Sequence, residues 1–441
     1  MGIPPARPAL PRRRFLTGLG ATALALGAGT GLAGCGSNTG RPSGGAASSA
    51  PAGTSDGPRP AVSQWYHEYG EDGVEAAVKR YAAAYEQASV SVRWNPGDYD
   101  KLASASLLTA DVPDVFEYGN GPTLDMIRAG QVLDLTDVVG DAASQFSKPV
   151  LDAMSWEGRI YAVPQTVDMQ LLFYRRSVLE KAGVAPPTTL AELTAAAKAV
   201  TTKDMGGFFA GNDGGVATLA SMLVWAAGKE QLNAGSSGIG FDDADGYAAF
   251  AAYRDLATSG GLVRSASADW FDAAPLTNGE TAMQWTGLWT LPDVQDKLGD
   301  DFGVVPFPAV GANGRPAVPF GSYGSIVAAK GKDPDAAKAF VRWLWVENEA
   351  DQVDFSNSYG THIPAKPALV PQATKIATGA GAEAARFVNE LGHAPSKLWT
   401  PATSNALTAA LTRVVTKNAD PRTEIGQVAA TARTEIARAK G

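Results

Sequence analysis

Cysteine is almost missing: Cys35 is alone in 441 residues, so no intrachain disulfide can form. Histidine is scarce too. His67, His362 and His393 lie far apart, without the spacing that structural zinc requires. Charged residues make up only 19%, and no basic run occurs beyond the extreme N-terminus, so nucleic acid is not an expected partner. The phosphate loop G-x-x-x-x-G-K-[ST] is absent, which removes ATP hydrolysis from this chain's own repertoire. The one G-x-S-x-G match, GTSDG at 53–57, falls in a Gly-, Ser- and Pro-rich stretch rather than between a strand and a helix, so no serine-hydrolase elbow is read from it. No internal repeat at solenoid spacing occurs. No cofactor or metal is expected.

Hydrophobic residues make up 45% and aromatics 8%, enough to fill a large core in two domains. The N-terminus reads as an address. In PRRRFLTGLGATALALGAGTGLAGC, Arg12, Arg13 and Arg14 form a basic start, residues 15–32 a weakly apolar stretch broken by glycines, and LAGC the end. Residues 1–34 are therefore a secretory signal, too glycine-rich for a comfortable membrane span. RRRFLT resembles the twin-arginine export motif, with the general export route as the alternative. LAGC resembles the bacterial lipobox, which makes Cys35 the lipidated mature N-terminus. Cleavage there leaves 33 basic residues against 45 acidic ones, a net charge of −12. The expected location is the outer face of a cytoplasmic membrane. Residues 35–60, rich in Gly, Ser, Ala and Pro, read as a tether reaching about 25–30 Å.

The folded chain starts with AVSQWY, a strand, and EDGVEAAVKRYAAAYEQA, a helix with Val74, Ala77, Val78, Tyr81 and Tyr85 at helical spacing. VSVRW, YDKLASASLLTA and PDVFEYG continue as strand, helix and strand. This βαβαβ order opens a doubly wound α/β sheet, whose ligands bind beyond the carboxyl ends of the strands. Trp65, Tyr66, His67 and Glu68 stand at that end of the first strand, and Glu117, Tyr118 and Asn120 at that end of the third. Further on, Thr188 or Thr189 caps a helix with Glu192 completing a capping box. DADGYAAFAAYRDLATSGGLV is another helix, ended by Gly260 and Gly261.

Several segments, in order, resemble the extracellular solute-binding proteins of ABC importers, in their maltose-binding-like, sugar-binding lineage. They are PDVFEY; GRIYAVPQTVDMQLLFYRRSVLEKAGVAPPTTLAEL; NGETAMQWTGLWTLPDV; VPFGSYGSIVAAKGKDPDAAKAFVRWLW; and THIPAKPAL. Tyr174 is followed by Arg175 where the family usually has Asn. The resemblance covers about 61–435. It implies a two-lobed periplasmic-binding-protein-like α/β fold of type II, each lobe a doubly wound sheet flanked by helices, with the ligand cleft between them. The expected lobes are discontinuous: 61–167 with 319–363, and 168–318 with 364–441. The chain should cross near 166–169, near 308–319 and near 364. The C-terminal helices pack on either or both lobes.

Sugars present apolar C–H faces and a rim of hydroxyls, so their sites need aromatic plates and planar polar groups. Trp289 matches the family's signature tryptophan, which the resemblance makes a stacking plate. Trp285, four residues earlier, is a second plate or a core residue. Asp168 falls at the hinge-strand position where the family often places a hydroxyl acceptor. His67 is a ligand contact or a satisfied core histidine. Gly321, Ser322 and Tyr323 open the late lobe segment, where glycine permits close backbone approach and Tyr323 closes the mouth. Trp399, Asn405 and Arg386 are weaker candidates, and His362 reads as structural. The resemblance further implies a monomer that hands a carbohydrate to membrane permease subunits. Two alternatives stand beside it. One is a binding protein for a polyamine or peptide. The other is an exported glycoside-acting enzyme using Glu68 and Glu117 as its carboxylates.

Overall fold

The computed structural model describes residues 58–440 except 70, 359 and 360. The signal sequence, Cys35 and residues 35–57 of the tether lie outside the described residues. The first strands are β1 (Ala61–His67), β2 (Ser89–Asn95), β3 (Val115–Gly119), β4 (Ser155–Trp156), β5 (Arg159–Ile160) and β6 (Val163–Pro164). Then follow β7 (Thr166–Tyr174), β8 (Gly206–Phe209), β9 (Leu262–Val263), β10 (Thr281–Gly287) and β11 (Gly303–Val305). The last are β12 (Val318–Gly321), β13 (Tyr323–Val327), β14 (Ile363–Pro364) and β15 (Gly392–His393).

Two sheets define two α/β lobes. The first has the order β2-β1-β3-β13-β6, with β1 parallel to β2 and β3, and β13 antiparallel to β3 and β6. Both of its faces are covered. Val62, Tyr66 and Val115 pack on the helices Val74–Ala84 and Pro334–Arg342; Trp65 and Phe116 pack on the other face with Tyr99 and Ala103 of the helix Tyr99–Ser106. Apolar residues on both faces are the mark of a sheet buried between helices.

The second sheet runs β15-β12-β7-β10-β8-β9, with β11 and β14 also paired to β7. β7, TVDMQLLFY, is its spine. Leu172 and Tyr174 enter one core; Leu171 and Phe173 enter the other. The helix Leu190–Val200 starts with the capping box read from the sequence: Thr189 Oγ1 accepts the Glu192 N–H, and Glu192 reaches back to the Thr189 N–H. The C-terminal helices Pro401–Lys417 and Pro421–Lys440 pack on each other and on the helices Val216–Ala226 and Ala244–Thr258 of this lobe.

The chain passes between the sheets three times, and every pass meets β7. β6 leads directly into β7. β12 pairs with β7 through Gly321 and Asp168, and Ser322 then hands the chain to β13 in the first sheet. β14 returns it by pairing Ile363 with Val167. Among the described residues no helix is long and apolar enough to cross a membrane.

Candidate functional site

A cleft of about 1280 Å³ opens where the two sheets meet. On the first lobe its floor is organised by a residue that does not line it. Glu117 is fully buried on β3. Its Oε1 accepts the His67 N–H at 2.7 Å and stands 2.5 Å from His67 Nδ1; its Oε2 accepts the Tyr69 hydroxyl at 2.8 Å. A buried carboxylate needs such partners to offset its desolvation. Burial, then the Glu117 charge, pushes the Tyr69 phenol well above its ordinary range. The result is a fixed aromatic surface: His67 stacks on Tyr323 at 4.2 Å and lies 3.8 Å from the Tyr69 ring.

The hinge side holds an ionic triad. His362, buried at the start of β14, has Nδ1 2.6 Å from Asp168 Oδ1 and Nε2 3.1 Å from Glu71 Oε1. The Glu71 approach is too bent for a hydrogen bond and acts as a charge pair. Burial alone would depress the imidazole, but the two carboxylates outweigh it and raise it to about 10. All three residues line the cleft.

Asn120 and Ser322 are tied together beside this triad. The Asn120 N–H donates to the Ser322 carbonyl at 2.8 Å, and Asn120 Oδ1 accepts the Ser322 N–H at 3.2 Å. Ser322 Oγ donates to the Thr166 carbonyl at 2.6 Å. Asn120 and Gly121 both have positive φ, 57° and 72°. A Cβ at Gly121 would lie 2.9 Å from Met154 Sδ, so this turn needs glycine. From the second lobe, Lys397 Nζ donates to the carbonyls of Asn120 (3.2 Å) and Pro122 (2.9 Å). Burial pushes its pKa down to about 8.

The second lobe supplies the opposite wall. Trp289 lies flat over Gly287, where a Cβ would come within 2.0 Å of the indole Cζ3. Its Nε1 donates to the Phe271 carbonyl at 2.9 Å, and Trp270 meets it edge-on at 5.8 Å. Trp225 adds a third indole, backed by His393 at 5.2 Å. Phe271 is 57% exposed at the rim.

Of the residues expected at the site, His67, Asn120, Asp168, Trp289, Gly321, Ser322 and Tyr323 line the cleft. The structure does not bring the others there. Trp65 and Tyr66 are buried on opposite faces of the first sheet, because both faces carry helices. Glu68 points to solvent. Glu117 lies beneath the floor, and Tyr118 is half-buried with its hydroxyl 3.2 Å from Ser104 Oγ. Trp285 is a core residue, edge-on to Phe307 at 5.4 Å, and its Nε1 donates to Gln170, which does line the cleft. Glu68 and Glu117 do not flank a common cavity, so the enzyme alternative loses its carboxylate pair. Of the weaker candidates, Trp399 is buried in the second lobe and Arg386 pairs with Glu390 on the surface.

Sequence reading missed Glu71, Trp225 and the stretch Trp270, Phe271, Asp272; it took His362 as structural only. A signal existed for the stretch. In ADWFDAA two aromatics stand between two acids, in a segment without apolar periodicity.

Comparison with known proteins follows the same outline. The family model described as bacterial extracellular solute-binding protein matches residues 70–345. The diacetylchitobiose-binding protein DasA of Streptomyces coelicolor is 32% identical over 92 residues, 21% of either chain. The melibiose/raffinose/stachyose-binding protein MelE of Bacillus subtilis is 28% identical over 160 residues, 34% of this chain and 36% of that one. The alignments thus span about a fifth and about a third of these curated relatives. The GacH receptor of Streptomyces glaucescens, solved unliganded and with acarbose, superposes with a TM-score of 0.71 at 21% identity, covering 86% of this chain and 99% of the receptor.

Proposed function

We propose a role from one premise: the chain belongs to the bacterial extracellular solute-binding proteins. It is the substrate-binding lipoprotein of an ABC-type carbohydrate importer. It captures a mono- or oligosaccharide between its lobes and delivers it to a membrane permease. Cys35 carries the lipid, the tether gives reach, and the protein acts as a monomer without catalysis. The lobes are approximately 61–167 with 319–363, and 168–318 with 364–441.

One observation carries the reading. Three indoles, Trp225, Trp270 and Trp289, face the His67, Tyr69 and Tyr323 surface across a cleft that also holds Asn120, Asp168 and Gln170. Aromatic faces cover sugar C–H surfaces, and planar amides and carboxylates take the hydroxyls. The cleft exceeds the roughly 300–1,000 Å³ usual for small-molecule sites, which suits more than one ring. The sugar specificities printed for DasA and MelE point the same way. Binding a ligand to both walls favours the closed arrangement of the lobes, and the closed surface docks on the permease.

A second reading has its own observation. Glu71, Asp72, Asp168, Asp272 and Asp293 line the cleft, against Lys375 as the one lysine or arginine among the described lining residues. That balance would also suit a polyamine.

The test is a thermal-shift panel on the soluble form from residue 61. It includes melibiose, raffinose, diacetylchitobiose and monosaccharides, beside amino acids and polyamines. Ligand at one hundred times its Kd adds about 2.7 kcal/mol of stability. A sugar hit lost in Trp289→Ala supports the proposal. A response confined to polyamines replaces it with the second reading.

A further inference from the structure

Gln284 lies in the middle of β10, fully buried and outside the cleft lining. A buried carboxamide must place two donors and an acceptor. Its Oε1 accepts the Leu276 N–H at 3.0 Å. Its Nε2 donates to the Asp272 carbonyl at 2.8 Å and to the Trp270 carbonyl at 3.4 Å. The carbonyl between these two, that of Phe271, accepts from Trp289 Nε1. Three successive carbonyls are therefore held by side chains of one segment, β10 and the turn after it. The loop is fastened at its start as well: Asp269 Oδ1 accepts the N–H groups of Asn212 and Trp270. With its carbonyls committed to these partners, the loop contributes Trp270, Phe271 and Asp272 to the cleft wall.

We infer that Gln284 is a positioning residue for ligand recognition. It sets the affinity of the site by pre-organising the wall of Trp270, Phe271 and Asp272 against Trp289, without reaching the ligand itself. Pre-organised walls raise affinity because their ordering cost is met before binding. The inference rests on the sugar-binding reading.

Gln284→Met keeps the stem and removes all three hydrogen bonds. Gln284→Glu keeps the acceptor for Leu276 and turns an oxygen toward two carbonyls; it serves if the methionine variant does not fold. The first measurement is amide hydrogen exchange across 270–276 in unliganded protein, where both variants should exchange faster than wild type. The second is a double-mutant cycle with Trp270→Ala, read by calorimetric titration of raffinose, or of whichever panel glycan stabilises the wild type. Loss of Gln284 should weaken binding about 10-fold in the wild-type background and less than about 2-fold beside Trp270→Ala. A general structural role would give the same factor in both backgrounds and would overturn the inference. Unchanged exchange would overturn it too, with or without a ligand. If no panel glycan binds wild type, the sugar reading falls, while the exchange experiment still decides whether Gln284 holds the wall.

Discussion

His362 Nδ1 stands 2.6 Å from Asp168 Oδ1, and this contact adds a side-chain tie to the backbone pairing of the last crossing strand with the first. Glu71 on the other side of the ring completes a charge triad around a buried imidazole. Removing one partner from such a set leaves uncompensated charge and costs about 3–5 kcal/mol. His362→Gln should therefore lower stability by about that much at pH 6. The pH dependence has a definite sign. The folded value is raised from 6.5 to about 10, so the stabilisation is complete below 6.5 and disappears as pH rises through 10. Urea melts of wild type and variant should converge between those limits; parallel curves would show that the imidazole is not charged in the folded state.

Lys397 titrates in the opposite sense. Its folded value is lowered to about 8 from 10.5 by burial, so its penalty is fully present below 8 and is relieved as pH rises to 10.5. Wild type should gain stability relative to Lys397→Met as pH rises across that window. Melts at pH 7.5 and 10.5 check it. The same variant removes the two hydrogen bonds to Asn120 and Pro122. An unchanged radius of gyration in solution scattering would mean that this clasp does not hold the lobes.

Gly287→Ala tests the tryptophan plate without touching the tryptophan. The added methyl would need the space of the Trp289 indole. Overpacking of this kind costs about 1–3 kcal/mol. Affinity for the best panel glycan should fall at least as far as in Trp289→Ala, with a changed near-ultraviolet dichroism signal. Wild-type affinity in the glycine variant would remove Trp289 from the binding wall.

Glu117→Ala should weaken binding although Glu117 lies below the cleft. It releases His67 and Tyr69 together and leaves buried donors unpaired, at about 3 kcal/mol in stability. It should also lower the Tyr69 pKa, because the Glu117 charge adds to burial in raising it. Spectrophotometric tyrosine titration against the Tyr69→Phe background reads this directly. An identical titration curve in wild type and variant would refute the coupling.

Much of the fold was legible because it rests on local patterns. The helix Val74–Ala84 has its buried Val74, Ala77, Val78 and Tyr81 at plain helical spacing, and Thr189 with Glu192 is a local capping signal. The hinge residues Asp168 and Gly321–Tyr323 were reached through family motifs. Burial on strands was harder. Trp65 and Tyr66 look like a polar-aromatic edge, but helices cover both faces of their sheet, so alternation identifies no solvent side. Glu117 reads as a ligand carboxylate until His67 and Tyr69 are seen to use both its oxygens. Trp270 and Phe271 sit in an irregular loop whose shape depends on Gln284, a contact that no local pattern announces.

The place of β13 has a consequence for biogenesis. Residues 323–327 sit between β3 and β6 in the first sheet, although some 150 residues of the other lobe precede them in the chain. During synthesis the N-terminal lobe therefore waits, with β3 and β6 unjoined, until nearly three quarters of the polypeptide has emerged. Domains completed by distant segments fold late, and their open strand edges are exposed in the interim. Until β13 arrives, β3 and β6 leave open strand edges in the first sheet, of the kind that invite pairing with another chain.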